Sequence, residues 1–263
     1  MDIATLFYPS IAVGCSITVI WLISVKITDV SIVDIWWGPG FALVSWMTLV
    51  ENASINARQL LTASLLTLWG LRLGIYLAKR NLGHDEDRRY QAIRGGSPHF
   101  WWTSFFKVFL LQGSLQLFVS LPVYAVASAS NPLGLLDAVG MSIAFLGLAT
   151  EGIADHQLTR FKNDAANEDK VMRTGLWGWS RHPNYFGNAL MWLGFGLIGM
   201  AAGGPMWMWI GPAVMWFLLL RVSGVTMLEK TIVHRRPAYQ AYINEVSAFI
   251  PLPPRSSSNQ ESA

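Results

Sequence analysis

The sequence predicts an all-α integral membrane protein of seven transmembrane helices, with the N-terminus outside and the C-terminus in the cytoplasm. Three observations carry that prediction: an apolar composition, apolar runs of bilayer length, and a one-sided distribution of Lys and Arg. The chain has 263 residues, of which 52% are hydrophobic and 13% charged, with 13 Trp and 13 Phe. Such a composition is too apolar for an ordinary soluble domain and excludes a disordered chain. The net charge of +3 is too small to imply nucleic-acid binding. A single cysteine, Cys15, excludes an internal disulfide and a Cys-rich metal site.

A hydrocarbon core takes about 17 to 25 mostly apolar residues per helix. The runs of that kind are approximately Leu6 to Val25, Val30 to Val50, Leu60 to Ala78, Val108 to Ala127, Leu135 to Ala154, Tyr185 to Ala202 and Met206 to Val225. The first lacks a basic leader and reads as a retained span, not a cleaved signal. Gly203, Gly204 and Pro205 break the last two apart and leave room only for a tight antiparallel turn. Gly70 and Gly74 in span three, like Gly194 and Gly196 in span six, read as sites of close helix contact. One domain over residues 1–255 and a disordered tail over 256–263 complete the expected organisation.

Orientation follows from the cations, which accumulate on the cytoplasmic side. The connection after span three carries Lys79, Arg80, Arg88, Arg89, Arg94 and Lys107, and that after span five carries Arg160, Lys162, Lys170, Arg173 and Arg181. The C-terminal part adds Lys230, Arg235, Arg236 and Arg255, whereas Arg58 stands alone on the opposite side. Polar residues inside the spans fall toward the same cytoplasmic end: Asp34, Arg72, Gln112, Gln116, Glu151, Asp155, Asn184, Asn188 and Arg221. Ionisable groups in hydrocarbon cost several kcal/mol unless they meet partners or water. A polar cavity open to the cytoplasm is therefore expected, and interhelical hydrogen bonding accounts equally for the glutamines and asparagines.

The densest chemistry lies between spans five and six. Lys162, Arg173 and Arg181 suit phosphate, Trp177 and Trp179 offer stacking faces, and Pro183 opens span six so that its free N–H groups favour an anion. A nucleotide fits that mixture. His84, His99, His156, His182 and His234 show no ligand spacing for a metal, and no Rossmann fingerprint is present.

The run Thr174-Gly-Leu-Trp-Gly-Trp-Ser-Arg-His-Pro-Asn-Tyr-Phe-Gly187 resembles the signature shared by steroid 5-alpha-reductase-like proteins and the sterol C14 and C7 reductases. Trp69-Gly-Leu-Arg-Leu-Gly-Ile-Tyr76, Asp85-Glu-Asp-Arg-Arg-Tyr90 and the stretch from Leu228 to Tyr242, ending at Phe249-Ile-Pro251, resemble the bacterial branch of that superfamily. The resemblance implies NADPH bound from the cytoplasm of the bacterial inner membrane and reduction of a carbon–carbon double bond in a steroid-like or isoprenoid enone. It implies cofactor contacts at Asp155, Asn184 and Arg221, and at Lys162, Arg173, Trp179, Arg181, His182 and Tyr185, with Glu229 and Tyr242 as further candidates.

In the animal steroid reductases a Glu and a Tyr polarise the substrate ketone. Asp34 takes the Glu's approximate place, while Trp69 falls where the Tyr would align, so Tyr76 or Tyr90 would have to substitute. Hydride delivery to an enone builds negative charge on its oxygen, which a donor must stabilise. A protonated Asp34 would serve, unless Arg72 pairs with it and keeps it ionised; a Tyr oriented by Asp34 is the alternative. Two other readings stand beside the reductase. Arg181-His-Pro-Asn-Tyr185 is similar also to isoprenylcysteine carboxyl methyltransferases, which use S-adenosylmethionine, and a reductase-like fold also serves a non-catalytic lipid-binding protein.

Overall fold

The computed structural model describes residues 3–222, 225, 229, 232–233 and 237–255. Among them there is no strand. The helices are α1 (Ile3–Ile27), α2 (Ile32–Met47), α3 (Ala57–Asn81), α4 (Arg88–Gly95), α5 (Phe100–Ser104), α6 (Leu111–Val119), α7 (Leu121–Ala127), α8 (Leu135–Lys162), α9 (Pro183–Ala201), α10 (Ile210–Phe217) and α11 (Tyr239–Glu245). Wide π turns occupy Phe105–Leu110 and Leu218–Val222. The expectations attached to Lys230, His234, Arg235, Arg236 and the 256–263 tail lie outside the described residues.

Among the described residues, three helical stretches are long and apolar enough to cross a bilayer: Thr5–Ile27, Ala57–Asn81 and Leu135–Lys162. A fourth candidate is the pair Phe100–Val119 and Leu121–Ala127, bent by 50°. The bend has a covalent cause, because Pro122 in the first turn of α7 withholds a backbone N–H from the preceding turn. α2 has 16 residues, about 24 Å of helix against a hydrocarbon core of about 30 Å. α9 has 19 residues but spends its first two turns on Asn184 and Asn188, and Met206–Val222 is a shorter apolar stretch. These helices make the chain suited to a bilayer, as the composition predicts.

The chain divides into two compact units, Met1–Ala138 with Gly196–Gly211, and Val139–Phe195 with Pro212–Ala263. In the first, α2 and α3 approach backbone to backbone. A Cβ on Gly38 would stand 2.6 Å from the Gly70 carbonyl, and one on Gly74 would stand 2.9 Å from the Pro39 ring. Gly70 and Gly74 therefore do what their sequence context predicts. The core of this unit gathers Val33, Val44, Phe109 and Tyr124. α3 starts on a reciprocal cap, the Asn56 side chain accepting from the Gln59 N–H while Gln59 accepts from the Asn56 N–H.

In the second unit α8 and α9 pack on small residues. A Cβ on Gly187 would meet the Glu151 N–H at 2.5 Å, and one on Gly194 would meet the Gly140 carbonyl at 2.5 Å. α9 begins at Pro183, as the sequence predicts for a first-turn proline. A smaller core of Tyr239, Tyr242 and Val246 seats α11.

Candidate functional site

Asp34 lies in the first turn of α2, where its carboxylate collects three elements of the first unit. Oδ1 accepts from the Tyr90 hydroxyl at 2.7 Å, and Oδ2 accepts from Arg89 Nη2 at 2.7 Å. The Tyr90 oxygen in turn accepts from Gln112 Nε2 of α6 at 3.1 Å. α4 places Arg89 and Tyr90 there because Asp87 caps its N-terminus, accepting from the Arg89 N–H at 2.9 Å and from Arg89 Nε at 2.9 Å. The preceding loop is tied to the α1–α2 connection. Glu86 accepts from the Val30 N–H at 2.8 Å and from Arg94 Nε at 2.9 Å, and the Asp87 N–H donates to Ser31 Oγ at 2.7 Å.

Tyr90 is 6% exposed. Burial, then the neighbouring Asp34 carboxylate, push its hydroxyl above the ordinary tyrosine value of 10.0. It is therefore a neutral hydrogen-bond donor at any physiological pH. Arg89 is the cation on Asp34, at 2.7 Å, where the sequence leaves open a pairing with Arg72. Tyr90, and not Tyr76, is the tyrosine that Asp34 orients; Tyr76 carries Arg80 over its ring at 5.9 Å. Trp69 is fully buried against Phe41, with ring centroids 5.7 Å apart. Deeper along α6, Gln116 Nε2 donates to the Trp37 carbonyl at 2.9 Å, beside the Pro39 interruption of α2.

The second unit carries a ladder of two rungs between α8 and α9. Asn184 Nδ2 donates to Asp155 Oδ1 at 3.1 Å, and Asn188 Nδ2 donates to Glu151 Oε2 at 3.2 Å. Each pair is one helical turn from the other, so the spacing of four seen in the sequence becomes two parallel contacts. The Asn184 Oδ1 atom is buried and accepts no hydrogen bond among the described residues.

Arg181, His182, Glu229 and Tyr242 come together as a clasp that holds the C-terminal segment against the turn before α9. Arg181 Nε and Nη2 donate to Glu229 at 2.7 and 3.0 Å, and its Nη1 donates to the Ile243 carbonyl at 3.0 Å and to that of Val246. His182 Nε2 shares Glu229 Oε1 at 3.0 Å, and the His182 and Tyr185 rings stack at 5.5 Å and 4°. The Tyr242 hydroxyl donates to the Trp177 carbonyl, and Ser180 Oγ donates to the Phe249 carbonyl at 2.8 Å. Burial raises the Glu229 carboxyl, but hydrogen bonds from His182 and Arg181 outweigh it and bring it down to about 2.

The clasp changes the reading of several residues. Four of the five Arg181 donors are spent inside the protein, so its guanidinium does not stand open for a phosphate. Arg173 pairs with Glu245 at 2.8 Å and lies over the Tyr242 ring. Trp177 is 8% exposed and donates its Nε1 to the Ala154 carbonyl at 3.0 Å, so it offers no stacking face, whereas Trp179 is 50% exposed. Lys162 ends α8 and Arg221 lies in the π turn after α10, both exposed. Near Lys162 an open cleft of about 270 Å³ is lined by Gln157, Arg160, Phe161 and Asn167 among others.

Sequence reasoning missed Arg89 as the partner of Asp34, and it missed the role of Arg58. Arg58 is 1% exposed and forms a bidentate pair with Asp137 at 2.6 and 2.8 Å. The available signal was a basic and an acidic residue, Arg58 and Asp137, each at the start of an apolar run, with Arg58 standing apart from the loop cations.

Comparison with known proteins adds a family. The chain matches the family described as protein of unknown function (DUF1295) over residues 20–246. It belongs to that family. An uncharacterized protein of Schizosaccharomyces pombe, C594.04c, is 28% identical to this DUF1295 chain, the alignment covering 89% of the chain and 76% of the yeast protein. No solved structure matches. The Asp34 cluster, the α8–α9 ladder and the clasp all lie inside the stretch that the DUF1295 family covers.

Proposed function

We propose that this DUF1295 protein is an NADPH-dependent membrane oxidoreductase that reduces a carbon–carbon double bond in a hydrophobic steroid-like or isoprenoid enone. In the same proposal it crosses the bacterial inner membrane seven times, N-terminus outside, with the cofactor site on the cytoplasmic side. The observation that carries the reading is the buried Tyr90 hydroxyl, held by Asp34 at 2.7 Å and by Gln112 at 3.1 Å. A neutral donor fixed in a water-poor site is what a developing enolate oxygen needs, because its dipole requires no reorganisation as charge appears. A substrate oxygen seated there would take the Tyr90 hydrogen in place of Asp34, and Arg89 would keep the Asp34 carboxylate compensated.

The residues of the second unit suit the cofactor. Asn184 Oδ1, buried without a donor, fits a carboxamide N–H, and Asp155 fixes the orientation of that side chain through Nδ2. Tyr185, Trp179, Lys162 and Arg221 would supply ring faces and cations to the rest of the dinucleotide. His182, Glu229, Arg181, Arg173 and Tyr242 act behind them by holding the loop. NADPH, when bound, supplies the hydride, and the protein contributes orientation and the exclusion of water.

Titration of the purified protein with NADPH and with S-adenosylmethionine tests the reading. Saturable binding of NADPH is expected, weakened about tenfold by Asn184→Ala, the equivalent of one hydrogen bond of about 1.4 kcal/mol. Binding of S-adenosylmethionine alone would replace the reductase with the methyltransferase, and binding of neither would leave a lipid-binding protein.

A further inference from the structure

Threonines inside helices ordinarily return their hydroxyl to the carbonyl four residues back. Thr18, Thr67 and Thr159 do so in this chain, donating to Gly14, Ala63 and Asp155 at 2.8, 2.7 and 2.8 Å. Thr62 of α3 does not. It is 2% exposed, and its Oγ1 is buried without any hydrogen-bond partner. A lone buried hydroxyl costs free energy unless something outside the chain meets it.

Beside Thr62 is a cavity with about 10 Å³ of room for a water-sized sphere, lined by Ser45 of α2, Thr48 just after it, Gln59 and Thr62 of α3, and Ala127 of α7. One water needs about 10–15 Å³ on that measure and typically makes about three hydrogen bonds. We infer that this cavity holds one ordered water, bound by Thr62 Oγ1, that joins α3 to the C-terminal end of α2. The acceptors are in place. Ser45 Oγ and Thr48 Oγ1 spend their hydrogens on the Ala42 and Ser45 carbonyls, at 2.8 and 2.7 Å, which leaves their lone pairs open to a water. Gln59 Oε1 accepts from the Asn56 N–H at 2.9 Å and retains a second lone pair. Thr62 donates to the water, and the water donates to two of these three oxygens. Gln59 Nε2 already donates to the Ala127 carbonyl at 2.7 Å, so the water extends a polar seam that ties α3 to the end of α7.

The sign of one substitution separates a wet cavity from a dry one. Thr62→Val keeps the volume and removes the hydroxyl. With the water present, its loss lowers the midpoint of thermal unfolding in detergent by about 2–4 °C. With the cavity dry, Thr62→Val deletes an unsatisfied group and the midpoint holds or rises, which overturns the inference. A map of the parent protein at water-resolving resolution decides the matter without any variant. Density within hydrogen-bond distance of Thr62 Oγ1 is expected, and an empty cavity contradicts it.

Discussion

Arg58 sits in the first turn of a bilayer-length helix with every one of its five N–H donors placed: on both oxygens of Asp137, on the Asn131 carbonyl and side chain, and on the Pro132 carbonyl. Removing one member of such a pair strands the other charge, at a cost of about 3–5 kcal/mol. Arg58→Leu is therefore expected to lower the unfolding midpoint steeply, and Arg58→Leu with Asp137→Leu to recover part of the loss, as a double-mutant cycle in detergent would read out. Glu229 makes a second prediction at this scale. Its carboxyl is held down to about 2 from an ordinary 4.5, so its contribution to stability is complete above pH 4.5 and is lost as the pH falls toward 2. Acid unfolding profiles should show that loss in the parent, and a flatter profile over the same window in Glu229→Gln. Single residues were only partly legible in the sequence. Asp34 stands out as an acid within an apolar run and Tyr90 as a tyrosine in a charged loop, but Arg89 is one of several loop cations, and only the Asp87 cap on α4 selects it for Asp34.

At the scale of elements, the α8–α9 contact decides whether the ladder exists. Gly147 stands so close to Gly187 and Met191 of α9 that an added Cβ would lie 2.5 Å from the Gly187 carbonyl. Gly147→Ala should push the helices apart, at about 1–3 kcal/mol of overpacking, and separate Asn184 from Asp155. Weaker NADPH binding than the parent, with helical content retained by circular dichroism, is the expected result. The glycines and the Asn184–Asn188 spacing are local features, and they are readable from the chain because helical periodicity fixes which residues share a face. The clasp is not local. Arg181 and Glu229 are 48 residues apart, and a loop of cations reads as a phosphate site until the partner carboxylate is seen. Trp177 was misread for the same reason: its indole reaches the Ala154 carbonyl on α8, a contact that no local pattern announces.

For the whole molecule, composition alone points to a membrane, and the described residues include three bilayer-length helices, or four with the bent pair. The seven crossings proposed above draw also on α2, α9 and the apolar stretch Met206–Val222, which are shorter. Pro122 bends one expected span, and α2 stops at 16 residues. The proposed chemistry rests on the Tyr90 donor and on the Asn184 carboxamide. Lipid-dependent oxidation of NADPH by the purified protein, with a panel of enone lipids and with Tyr90→Phe beside the parent, tests that proposal most directly. The account predicts that an enone stimulates turnover and that Tyr90→Phe loses about 100-fold in kcat with NADPH affinity unchanged. Equal turnover by Tyr90→Phe and the parent would contradict it.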